Sequence, residues 1–82
     1  MSGSGSGAGG EGGEEEQTIE TLKKIALDES KLHSERERAI DALAVFGEKA
    51  LPALAEIADR ADFYSLRNRA MELLREIKEG KR

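Results

Sequence analysis

The chain is 82 residues long, with 13 lysines and arginines, 17 aspartates and glutamates and no cysteine. Glu11, Glu14, Glu15 and Glu16 account for the acidic excess, so residues 17–82 hold thirteen charges of each sign, and a neutral domain lacks the basic footprint that drives binding to nucleic acid or anionic membranes. The absence of cysteine removes disulfides and thiolate metal sites, and with neither an apolar run of about 18 residues nor a signal-peptide pattern, a soluble, cytosolic or recombinant protein is expected.

Residues 1–13 are only Met, Ser, Gly, Ala and Glu and hold seven of the nine glycines. Such a segment cannot bury enough apolar surface to offset its ordering entropy. It is read as a disordered Gly/Ser linker, and the alternating Ser2-Gly3-Ser4-Gly5-Ser6-Gly7 is the pattern of an added leader. Residues 14–82 form one four-helix domain in this reading.

The first helix is expected over Glu14–Asp28, where Ile19, Leu22, Ile25 and Ala26 share one face and three leading glutamates complement the helix dipole. The second begins with a cap at Ser34, with Glu37 reaching back as in a capping box, and runs through Ala39, Ile40, Leu43 and Phe46 to a left-handed stop at Gly47. The third, Glu48–Ala61, follows almost without a loop and is expected to pack antiparallel against the second. Leu51, Leu54, Ile57, Ala58 and Ala61 form its face, and Pro52 falls in or just after its first turn. The fourth runs from a cap at Ser65 to Glu79, burying Leu66, Ala70, Leu73, Leu74 and Ile77, and Gly80 ends it. Leu27, Leu32, Val45, Phe63, Tyr64 and Met71 lie off these stripes. They are expected to form a second, weaker ridge and to plug loop ends; the competing reading makes Phe63-Tyr64 an aromatic anchor for a partner.

The segment Ser34–Leu43 recurs 31 residues later as Ser65–Leu74, with Ser34/Ser65, Arg36/Arg67, Arg38/Arg69, Ala39/Ala70 and Leu43/Leu74 identical. A period of this length marks a helical repeat. The run Arg36-x-x-Ala39-Ile40-x-Ala42-Leu43-x-x-Phe46-Gly47-x-x-Ala50-Leu51-Pro52-Ala53-Leu54 resembles the HEAT repeat of the phycobilisome-lyase type. That resemblance implies an all-α fold of four antiparallel helices, stacked as HEAT-like α-α hairpins in a short right-handed α-solenoid or bundle that serves as a protein-binding scaffold and carries no reaction. It also implies local pairs Asp28–Arg36 and Asp59–Arg67 across the loops. The chain departs from the pattern at Glu35, where the family has an aliphatic residue and the second copy has Leu66, and at Lys78, which replaces the second stop glycine.

No catalytic, cofactor-binding or metal-ligating residue is assigned, and no cofactor is expected. His33-Ser34-Glu35 has the His-x-Glu spacing of zinc deaminases without their cysteine pair, and is read as a loop histidine beside a cap. Gly47-Glu48-Lys49 is followed by alanine rather than Ser or Thr, so it is not a phosphate loop. Arg36, Arg38, Arg67 and Arg69 interleave with Glu35, Glu37, Asp41 and Glu72, as on a salt-bridged solvent face. The expected function is an engineered or designed structural scaffold with no native biochemical activity, requiring no partner. A trimmed natural HEAT-type interaction module is the alternative, and an enzyme comes last. A monomer is expected, with an uncovered face on the first or fourth helix as the route to a weak homodimer.

Overall fold

The computed structural model describes residues 10–81. Four α-helices make up the fold: α1 (Gly10–Leu27), α2 (His33–Ala44), α3 (Leu51–Arg60) and α4 (Tyr64–Lys78), with a 3-10 turn over Gly47–Ala50 ahead of α3. No strand occurs among the described residues. Of the expected linker, residues 1–9 lie outside the described part, and α1 already begins at Gly10, ahead of the expected Glu14.

Both repeated helices start earlier than their serines suggest. The caps are Leu32 and Phe63, again 31 residues apart, each with extended backbone and no side-chain cap bond. Ser34 and Ser65 are therefore already inside their helices. The loop chemistry explains the shift at α2. Asp28 accepts hydrogen bonds from the Ser30 backbone N–H at 2.9 Å and the Ser30 hydroxyl at 2.6 Å, closing an Asx-type turn. Leu32 leaves that turn extended, and its N–H donates to Glu35 Oε1 at 3.2 Å. Glu35, not Glu37, supplies the reach-back carboxylate. In α4 the first helical bonds run from the N–H groups of Leu66 and Arg67 to the Phe63 carbonyl.

The stop at Gly47 is as expected: its φ is +62°, and Gly80 has φ +76°. The chain then makes the 3-10 turn before α3 proper, with Pro52 in the first turn, where its missing donor is harmless. This turn separates α3 from α2. Instead of folding back onto α2, α3 packs chiefly on α4 and on α1. The strong contacts form a ring, α1 on α2, α2 on α4, α4 on α3 and α3 on α1, while α2 and α3 touch only lightly across the diagonal.

Two hairpins, α1–α2 and α3–α4, thus lie side by side, and the polar ties between them show how they are aligned. Lys23 donates to Glu56 at 3.0 Å, His33 Nε2 meets Ser65 Oγ at 3.1 Å, and Arg69 donates to Asp41 at 2.8 Å. The partners are 33, 32 and 28 residues apart, bracketing the repeat. α1 therefore runs parallel beside α3, and α2 parallel beside α4.

The core is made from Ile19, Ile40, Leu43, Leu54, Ile57, Leu66, Leu73 and Ile77 among seven buried alanines. The expected stripes are largely buried, with Leu22, Ile25, Phe46, Leu51, Ala58 and Leu74 half-buried against them. Leu32, Val45, Phe63, Tyr64 and Met71 do not form the expected ridge or plugs; they are 44 to 84% exposed. Substituting Gly47→Ala should cost about 1 to 2 kcal/mol, because nothing crowds the added Cβ and only the left-handed backbone opposes it. A urea melt monitored by circular dichroism checks this through a lower midpoint at unchanged slope.

Candidate functional site

The parallel alignment of α2 and α4 brings their N-terminal ends together, and most of the polar chemistry gathers there. Arg36 lies at its centre, 1% exposed although charged. Its Nε donates to the Ala26 carbonyl near the end of α1 at 2.8 Å, and a terminal nitrogen donates to Asp62 Oδ1 in the α3–α4 loop at 2.5 Å. The guanidinium also sits 5.8 Å from the centre of the Phe63 ring, close enough for a cation–π contact. The expected pair Asp28–Arg36 is thus replaced by Arg36–Asp62. Asp28 is taken by Ser30, and the terminal guanidinium nitrogen goes to Asp62. The pair Asp59–Arg67 does not form either: Arg67 donates to the Ala61 carbonyl at 2.8 Å and lies 6.0 Å from the Tyr64 ring centre.

His33, the first residue of α2, stands beside this clasp with its ring edge-on to Phe63 at 5.5 Å. Its Nε2 approaches Ser65 Oγ at 3.1 Å and Glu37 Oε2 at 3.2 Å. A serine, a histidine and an acid in contact invite comparison with a catalytic triad, a grouping absent from the expectations above. The signal was available in the repeat, since a shift of 31 residues lays Ser65 over Ser34, the neighbour of His33. The geometry departs from a triad. A triad places the serine on one ring nitrogen and the acid on the other, whereas here both meet Nε2. A proton on Nε2 donated to Glu37 leaves that nitrogen no lone pair to accept the serine proton, so the arrangement ties α2 to α4.

The charges that are shifted all follow from paired partners. The Arg36 hydrogen bond holds the Asp62 carboxyl below its ordinary range, the Ser30 hydroxyl does the same for Asp28, and Lys23 does so for Glu56. Bonds to Glu56 and Glu20 raise Lys23, a bond to Glu15 raises Lys49, and a bond to Asp41 raises Arg69. Among the described residues no group of three or more metal-ligating side chains gathers, and no helix is long and apolar enough to cross a membrane.

A second feature lies at the far side of α1 and α2. An open groove of about 380 Å³ runs between them, floored by Leu22, Ile25, Ala39 and Ala42 and rimmed by Lys31, Glu35 and Arg38. The expected salt-bridged face is therefore only partly formed: Arg69 pairs with Asp41 and Glu72, while Arg38 has no ion-pair partner among the described residues.

Comparison with family models, curated proteins and solved structures returns no match to this chain.

Two predictions concern the clasp. Arg36→Ala should destabilise the fold by about 2 to 4 kcal/mol, since it strands a buried carbonyl and empties a packed site; chemical denaturation measures the loss. Asp62 has a native pKa below its unfolded value, so its contribution is complete above the ordinary aspartate range of about 4 and is lost as pH falls through the native value. Stability measured from neutral pH downward should accordingly decline less steeply in Asp62→Asn than in the parent, with Asp28 and Glu56 supplying the slope that remains.

Proposed function

We propose that this chain is an engineered or designed structural scaffold, two HEAT-like helical hairpins stacked in register, whose role is to hold that stack and which has no native biochemical activity. The observation that carries the reading is the set of ties between parallel neighbours. A repeat that stacks by translation joins each residue to one about a period away, and the separations of 33, 32 and 28 residues do so on both layers. The left-handed Gly47 and the first-turn Pro52 support the same reading, because they stand where the HEAT-like pattern needs a stop and a re-entry. The Ser-Gly alternation at the start of the chain and its short loops support a designed origin. Among the described residues the clustered polar groups serve as ties between helices, which supports a structural role.

One observation favours the alternative of a trimmed HEAT-type interaction module. Leu32, Phe63 and Tyr64 are 68, 52 and 72% exposed at one edge, and exposed aromatics are favoured anchors at protein interfaces.

Inserting after residue 61 a second copy of residues 31–61 that carries Lys31→Asp, Glu35→Leu and Ala42→Leu, the residues found at the equivalent positions Asp62, Leu66 and Leu73, tests the stack. A scaffold built by translation accepts the extra unit, and its denaturant slope rises in proportion to the surface added. A lower slope, or loss of cooperative unfolding, counts against the repeat.

A further inference from the structure

Equivalent positions in the two repeats are buried on opposite flanks. In α2 the buried flank is Arg36, Ile40 and Ala44; their counterparts in α4, Arg67, Met71 and Arg75, are half-buried or exposed. In α4 the buried flank is Leu66, Leu73 and Ile77; their counterparts in α2, Glu35, Ala42 and Phe46, are exposed or half-buried. At 3.6 residues per turn these flanks are roughly 140° apart. Each repeated helix thus has one flank for the unit before it and one for the unit after it. The single internal junction uses the second flank of α2 and the first flank of α4.

The flanks left over form the two ends of the stack. The groove over Leu22, Ile25 and Ala42 is the first flank of α2 with no unit on it, and Arg67 and Met71 mark the second flank of α4, likewise without a following unit. A second copy placed head to tail would repeat the internal junction residue for residue. Internal Asp41···Arg69 becomes Glu72 of one copy against Arg38 of the next, with both charges kept. The clasp is not kept. Internal Arg36···Asp62 becomes Arg67 against Lys31, two like charges in the place of the most buried ion pair in the fold. The apolar contacts fail as well, since Leu66 and Leu73 are replaced by Glu35 and Ala42, and Ala44 by Arg75.

We propose that the ends of this stack are repeat interfaces closed to a second copy of the chain by Lys31, Glu35 and Ala42, which stand where the internal junction has Asp62, Leu66 and Leu73. The groove is shaped for another unit of the same fold and is blocked by charge and by missing side-chain volume. The inference rests on the repeat reading above and adds how the stack is ended.

Lys31→Asp, Glu35→Leu and Ala42→Leu made together should convert the chain into a head-to-tail assembly. Sedimentation equilibrium from micromolar to near-millimolar concentration reads the result. The parent is expected to stay at the mass of one chain, 8.9 kDa, while the triple variant gains mass with concentration and, because the contact is heterologous, passes beyond a dimer. Adding Arg67→Glu to the triple variant should return it to a single chain, by placing two carboxylates at the restored clasp. A parent that assembles, a folded triple variant that stays monomeric, or assembly that survives Arg67→Glu each overturns the proposal. Glu35 also holds the Leu32 N–H, so if circular dichroism shows the triple variant unfolded, Lys31→Asp with Ala42→Leu decides in its place by the same criteria. Asp62→Lys in the parent separates the two readings. If it destabilises the chain while the triple variant remains monomeric, only the end-closure proposal falls; if it leaves stability unchanged, the repeat reading falls with it.

Discussion

Arg36, on α2, joins the end of α1 to the loop between α3 and α4. Its guanidinium connects the carbonyl of Ala26 near the end of α1, the carboxylate of Asp62 beyond α3, and the ring of Phe63 that caps α4. A charge that is 1% exposed is costly unless its donors are used and its partner is fixed. Here the cost enforces specificity. Sliding α2 along α4 by one turn would keep many aliphatic contacts but would leave a buried guanidinium without Asp62. The apolar core gives the two hairpins a reason to associate, and Arg36 selects the register in which they do so.

That division of labour suits a core of this composition. Seven of the buried residues are alanines, and the aromatic rings sit at the margin, with Phe46 half-buried and Phe63 and Tyr64 largely in solvent. Small side chains allow close helix approach but offer little shape to lock one arrangement against its neighbours. The polar ties supply the missing discrimination. Lys23–Glu56 fixes the α1–α3 layer and Asp41–Arg69 fixes the α2–α4 layer, each partly exposed and worth little in energy alone.

Much of the fold was legible because helical periodicity and stop signals are local. Ile19, Ile40, Leu54 and Leu73 fall on their stripes, and Gly47 adopts the left-handed backbone its position implies. The helix starts were misplaced because a serine is a good cap only where the preceding turn delivers it, and the Asp28–Ser30 turn delivers Leu32 instead. Buried alanines such as Ala44 and Ala53 leave no mark in a hydrophobic pattern. The clasp was the least legible feature. Arg36 among Glu35, Glu37 and Arg38 reads as one more solvated charge, and only the parallel apposition of α2 and α4 turns it inward toward Asp62. The His33–Ser65 contact depends on the same apposition.

The connections also shape how the chain reaches this state. Five residues join α1 to α2 and three join α3 to α4, so most contacts form between segments close in sequence, a topology that favours rapid folding. The remaining event is the lateral docking of the two hairpins, in which the guanidinium, held on the Ala26 carbonyl of its own hairpin, gives up water for the Asp62 carboxylate. Docking therefore carries the dehydration of one arginine, which is offset only when Asp62 is in register.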